Sequence, residues 1–292
     1  MTAGVAPPGH RLPPKVRVGP VRLQVTDLAR SLDYYEAVLG LRRLSVDGPV
    51  ARLTPHGTER PLVVLEERPD TRPVGTRGRL GLYHFAILLP SRRDLGAFLQ
   101  HLIDLGVDPG ASDHSVSEAL YLRDPDGLGI EVYRDRPRAK WSVAGRELQM
   151  HTAPLDGRGV LAAGSADRWH GMPEGTVMGH VHLHVGDLAE AEHFYHAALG
   201  LDKMVWSYPG ALFLSAGGYH HHLGLNTWAG AVPPAGELDA RLLEWTLDVP
   251  SGTAVAAVAR SLEGAGYEVA REGHAILTRD PSGTPLRVTA LG

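Results

Sequence analysis

From Val21 the chain alternates apolar and polar residues, then changes to helical spacing behind an Asp, and stops at a glycine: VRLQVTDLARSLDYYEAVLGLRRL, Val21 to Leu44. The alternation predicts a strand, Asp27 predicts a helix N-cap, and Gly40 predicts the helix stop. The same text returns 160 positions later as VHLHVGDLAEAEHFYHAALGLDKM, Val181 to Met204, with matches at Val21/Val181, Asp27/Asp187, Leu28/Leu188, Tyr35/Tyr195, Gly40/Gly200 and Leu41/Leu201. The chain is internally duplicated. A second related pair runs from Leu82 to Gly106 and from Leu243 to Gly266, each followed by an Asp-Pro-x-Gly turn, at Asp124 to Gly127 and Asp280 to Gly283. Each unit reads as a strand, a helix and then about three strands. The expected fold class is therefore α+β, four βαβββ modules. Residues 1–15 read as a Pro-rich flexible arm, 16–135 as a first pair of modules, 136–177 as a crossover linker and 178–292 as a second pair. A linker of that length is expected to be functional or to cross a surface.

Within the second module, DHSVSEALYLRDPDGLGIE (Asp113 to Glu131) reads as a His-bearing loop, a strand, a tight turn and a returning strand. The turn has a physical cause, because Pro sets one dihedral and Gly supplies the positive one. His114, Tyr121 and Glu131 can all converge near one end of a curved sheet.

Composition narrows the chemistry. The formal charge is −4, from 29 basic and 33 acidic residues, so no basic field exists for nucleic acid. The N-terminus lacks the apolar stretch of a secretory signal and no run approaches a membrane span, which makes the cytoplasm the default expectation, with no membrane and no nucleic acid as partners. There is no cysteine, so any metal would be held by nitrogen and oxygen. Sixteen His residues matter only where they converge.

The hairpin, the repeat and the stretches LYHFAILLP (Leu82 to Pro90), SEALYLRDPDG (Ser117 to Gly127) and YHHHLGLN (Tyr219 to Asn226) resemble the vicinal oxygen chelate superfamily. That superfamily includes the glyoxalases, the bleomycin-resistance proteins and the type I extradiol dioxygenases, and the resemblance is nearest to the bacterial catechol 2,3-dioxygenase group. It covers nearly everything from Val18 to Ala290, with Ser112 departing from the extradiol pattern. It implies two barrels of curved sheet, each made of two modules around a U-shaped cavity.

The resemblance also implies ligand positions on opening and closing strands. These carry His84 and Glu131 in module two and His180 in module three, while module one has Pro20 there and module four has Glu244 and Arg287. Two imidazoles and one carboxylate make the facial triad of non-haem Fe(II) oxygenases, which leaves three positions open. The same ligands accept Mn(II). The set requires module two to pair with module three, and one with four, or an exchange between subunits. Known extradiol enzymes draw their ligands from modules three and four, so this chain departs from that arrangement.

By the same resemblance, His221 is expected as the active-site acid–base His, although one register slip on the closing strand would exchange it for His220 or His222. Tyr121 is expected as catalytic and His114 as substrate-binding, both around a bound catecholate. His182 and His184 share a strand face with His180, with ordinary inward packing expected. The leading expectation is an Fe(II)-dependent extradiol dioxygenase that cleaves a catechol or hydroquinone-type ring with O2, its partners being a small aromatic substrate and oxygen; a homo-oligomer stays open. The alternatives are a glyoxalase-like lyase or isomerase, which would want a fourth ligand among His220 to His222, and a metal-free drug-binding protein of the bleomycin-resistance type.

Overall fold

A computed structural model describes residues 3–75 and 78–291. Module one runs β1 (Arg17–Val25), α1 (Leu28–Ala37), β2 (Arg42–Asp47), β3 (Val50–Thr54) and β4 (Val63–Glu67). Module two follows as β5 (Gly81–Leu88), α2 (Arg92–Asp104), β6 (Gly110–Asp113), β7 (Ser117–Arg123) and β8 (Gly129–Asp135). The linker holds a 3₁₀ turn (Arg138–Lys140), a short hairpin of β9 (Val143–Ala144) and β10 (Glu147–Leu148), and α3 (Gly157–Gly164). Module three is β11 (Val177–His184), α4 (Leu188–Glu192) continued by a π-helical turn (His193–Ala198), β12 (Asp202–Val205), β13 (Ala211–Ser215) and β14 (Leu223–Asn226). Module four is β15 (Arg241–Val249), α5 (Gly252–Gly264), β16 (Ala270–Glu272), β17 (Ala275–Arg279) and β18 (Pro285–Ala290).

The helices begin where short polar side chains meet the first free backbone N–H groups. Asp27 accepts from the amide of Arg30, Ser91 from Asp94, Asp187 from Ala189 and Glu190, and Ser251 from Ala254. Each main helix buries one apolar face; on α2 it is Leu95, Phe98, Leu99 and Leu102.

The strands form two curled eight-stranded sheets, in the orders β16-β17-β18-β15-β1-β4-β3-β2 and β12-β13-β14-β11-β5-β8-β7-β6. At the centre of each, the opening strands of two modules run antiparallel, β1 against β15 and β5 against β11. Module one thus shares a sheet with module four, and module two with module three. Modules one and two, though adjacent in sequence, lie in different sheets, and so do modules three and four. Alternation sends Val21, Leu23, Phe85, Ile87, Ile130, Val132, Val181 and Leu183 to the apolar side, where they join one continuous core.

Two polar contacts repeat with the duplication. Tyr35 on α1 donates to Asp124 in the hairpin turn of module two at 3.1 Å, and Tyr195 donates to Asp280 in the turn of module four at 2.9 Å. Both pairs are buried, and each ties a helix to the turn of the next module.

The first residues depart from the expected flexible arm. Leu12 is buried, Val5 bridges Lys203, and Arg11 pairs with Asp202 at 2.8 Å, so residues 3–15 lie along module three and the linker. Backbone hydrogen bonds and one buried apolar side chain outweigh the Pro content there. Residues 1 and 2 of that arm fall outside the described residues. Among the described residues no helix is long and apolar enough to cross a membrane.

Candidate metal centre and cavity

The centre of the second sheet sets the site. Ala86 of β5 lies in register with Glu131 of β8 on one side and His180 of β11 on the other, and His84 lies opposite His182. Because side chains alternate, these residues share the face turned away from the core. Ala86 is small, so a carboxylate and an imidazole can meet across it. The result is a buried cluster of His84, Glu131 and His180, each offering one ligand atom, all within 4.8 Å of one another.

Its geometry is that of ligands around a common point. His180 Nε2 lies 3.2 Å from Glu131 Oε2, and His84 Nε2 lies 3.0 Å from the same oxygen. Adjacent ligands on an ion with bonds near 2.1 Å stand roughly 3 Å apart. His84 Nε2 is nevertheless a buried nitrogen without an acceptable hydrogen bond, which is costly unless something else engages it. Burial alone would push the Glu131 carboxyl up, but His180 and His84 hold it well below the usual carboxylate range. Burial lowers His180 to about 4, against the pull of Glu131. An ionised carboxylate and a neutral imidazole are the protonation states in which these groups bind a metal. The donors fit a divalent ion.

Above the cluster is a cavity of about 260 Å³, lined in part by Tyr83, His114, Tyr121, His182, Phe213 and His221. His114 Nε2 and the Tyr121 hydroxyl are 2.7 Å apart. Burial first, and then the Glu131 charge, push the Tyr121 phenol well above its ordinary range, so it stays protonated. The linker closes one side, placing Met150 and Thr152 on the wall, where Thr152 Oγ1 meets the Tyr208 hydroxyl at 2.8 Å. Trp228 stands at the rim, 46% exposed.

The His run of module three differs from the sequence expectation. The closing strand begins only at Leu223, so His220, His221 and His222 occupy the bend before it, and strict alternation does not apply. His222 turns away from the cavity and bonds Ser215 Oγ through Nδ1 at 2.9 Å, while His220 reaches Asp135. Of the three, His221 alone lines the cavity, its ring 4.1 Å from that of His180. Burial lowers the pKa of His221 well below its ordinary value.

His182 and His184 are more than packing. Asn226 Nδ2 lies 2.9 Å from His182 Nε2, and Asn226 Oδ1 lies 2.6 Å from His184 Nδ1. The amide thus engages one nitrogen of each ring, and His182 is not among the converging ligand atoms. Asn226 stood within the His-rich stretch, yet its role needed β14 to run parallel beside β11, with Asn226 opposite His184.

The other sheet shows what the duplicate lost. At the places corresponding to His84 and Glu131 stand Glu244 and Arg287, joined by an ion pair at 2.7 Å, and Leu277 pairs with Arg287 as Tyr121 pairs with Glu131. A guanidinium cannot serve as a ligand.

The sequence and the fold both have relatives among known proteins. Residues 17–132 match the family model described as "Glyoxalase/Bleomycin resistance protein/Dioxygenase superfamily". The chain is 44% identical over 269 residues to "Catechol-2,3-dioxygenase" of Bacillus subtilis (strain 168), covering 90% of this chain and 93% of that protein. The fold is similar to that of a solved candidate dioxygenase from Bacillus subtilis, at TM-score 0.65 and 14% identity over 96% of this chain and 86% of the other. It is also similar to glyoxalase I from Zea mays, at TM-score 0.55 and 18% identity over 94% and 92% of the two chains. The chain belongs to the glyoxalase, bleomycin resistance protein and dioxygenase superfamily, as one of its extradiol ring-cleaving dioxygenases.

Proposed function

We propose that the chain holds Fe(II) through His84, Glu131 and His180 and uses O2 to open the ring of a catechol beside its hydroxyl pair. The observation that carries this reading is the buried cluster of two imidazoles and one carboxylate beneath a cavity walled by His114, Tyr121 and His221. Iron bound by three protein ligands would supply electron exchange between a dihydroxy ring and oxygen at its open positions.

The remaining residues bind, orient and exclude water. Tyr121, protonated, donates to a ring oxygen, and His114, paired with it at 2.7 Å, holds that phenol in place. Phe213, Met150 and Trp228 offer apolar surface to the ring. His221, a neutral imidazole on the cavity wall, takes a hydroxyl proton and returns it later. The cavity of about 260 Å³ suits a single aromatic ring with a small substituent. A fourth ligand, as a glyoxalase-like reaction would use, is not offered by this arrangement: His220 and His222 are engaged elsewhere, and the cluster of converging ligand atoms comprises His84, Glu131 and His180 without His221.

The test is direct. Protein loaded anaerobically with iron should bind about one Fe per chain and consume O2 with catechol to give a yellow ring-fission product. Glu131→Ala should lose iron and turnover together. Absence of product across a panel of catechols and hydroquinones from fully iron-loaded protein would defeat the proposal, and full iron retention in Glu131→Ala would defeat the ligand assignment.

A further inference from the structure

His220 is fully buried and uses both ring nitrogens. Its Nε2 lies 2.8 Å from Asp135 Oδ1, and its Nδ1 lies 2.7 Å from Nδ1 of His221. Asp135 ends β8, the strand that carries Glu131. An ionised carboxylate only accepts hydrogen bonds, so His220 Nε2 must carry the hydrogen. A neutral His220 is then left with an unprotonated Nδ1, and only a hydrogen on His221 Nδ1 can complete the contact. With Asp135 ionised and His220 neutral, donation runs from His221 to His220 to Asp135.

We propose that Asp135 and His220 are positioning residues that hold His221 in the tautomer with Nδ1 protonated and Nε2 free for the cavity. This rests on the acid–base reading of His221 above. Which nitrogen of an imidazole is available to a substrate is set by what its other nitrogen bonds.

The surroundings hold the pair in this orientation. The Tyr219 hydroxyl donates to the same Asp135 oxygen at 3.2 Å and meets the Tyr133 hydroxyl at 2.7 Å. The Tyr219 ring lies 4.1 Å from that of His220, and the ring of Trp141, from the linker, lies 5.4 Å from the same imidazole. His221 sits between the rings of His180 and Phe213, at 4.1 and 5.0 Å, neither of which offers a hydrogen bond to orient it. Among the described residues, His220 is the only hydrogen-bond partner of the His221 ring. With Nε2 unprotonated, that ring faces a substrate hydroxyl as an acceptor.

The full chain, loaded with diamagnetic Zn(II) and labelled with nitrogen-15, reads the tautomer directly. His221, assigned by the signal lost in His221→Ala, should show a protonated Nδ1 and a bare Nε2. A protonated Nε2 with a bare Nδ1, or a doubly protonated His220, would overturn the inference. Kinetics supply a second readout. In Asp135→Asn the amide can donate to His220 Nε2 and reverse the chain, so kcat should fall roughly 10- to 100-fold at full iron occupancy and unchanged KM, and Asp135→Glu should restore most of it. Wild-type kcat in iron-loaded Asp135→Asn would also overturn it. A fully active His221→Ala would instead sink the acid–base reading of His221 itself, which separates the two failures.

Discussion

At the scale of single residues, chemistry is divided between groups that hold a metal and groups that meet a substrate. His221→Ala should keep iron at wild-type occupancy and lose kcat by about 100-fold or more, the usual weight of an acid–base group; iron analysis with steady-state kinetics checks both halves. Asp124 carries a different consequence. Burial raises its carboxyl from 3.8 to about 6, against hydrogen bonds from the Leu128 and Asp126 amides. Between those values the folded state holds more protons than the unfolded chain, so this group's contribution to stability is greatest below about pH 4 and declines as pH rises through 6. The full swing is on the order of 3 kcal/mol. Asp124→Asn keeps an acceptor for the two amides and removes the titration. Urea unfolding at pH 4 and pH 7 should therefore show a smaller loss of stability across that interval in the variant than in the wild type.

At the scale of elements, the linker is a built part of the site. It crosses the second module through α3, which lies backbone to backbone on α2: a Cβ on Gly96 would stand 2.2 Å from the Val160 carbonyl oxygen, and one on Gly164 would stand 2.3 Å from the Ala97 amide. The linker then brings Met150 and Thr152 to the cavity wall, and Ala153 exchanges two backbone hydrogen bonds with Asp113, next to His114. Arg92 joins the same structure, bonding Glu118 on β7 and the Gly159 carbonyl at 2.9 Å on α3. Gly96→Ala should force the two helices apart and cost about 1–3 kcal/mol, read as a lower urea midpoint with an unchanged slope. KM should rise as well, because the displaced segment carries cavity residues. The length of the linker pointed to a role, but its contacts did not show in the sequence. Nothing in the local pattern of Gly96 distinguishes a close helix crossing from a weak helix position.

At the scale of the whole molecule, each sheet needs both halves of the chain. The antiparallel seams β1–β15 and β5–β11 join residues from opposite sides of the linker, and the His84–Glu131–His180 cluster spans the second seam. Residues 1–135 expressed alone should therefore bind iron far more weakly than the full chain and leave the β5 edge open to aggregation; iron retention equal to that of the full chain would contradict this. The sequence by itself determined the modules, the Asp27 cap and its repeat at Asp187, the hairpin turns and, through the superfamily resemblance, the candidate ligand positions His84, Glu131 and His180. These depend on interactions between residues a few positions apart, and the duplication displayed them twice. It also marked the degenerate copy through Pro20 and Arg287. Only the tertiary structure decided that module two sits beside module three, that the His run bends before β14 so that His221 alone faces the cavity, and that Asp135, His220 and Asn226 orient neighbouring imidazoles. Those outcomes depend on which apolar faces are buried together and in what register, a choice among partners far apart in the chain that no local pattern contains.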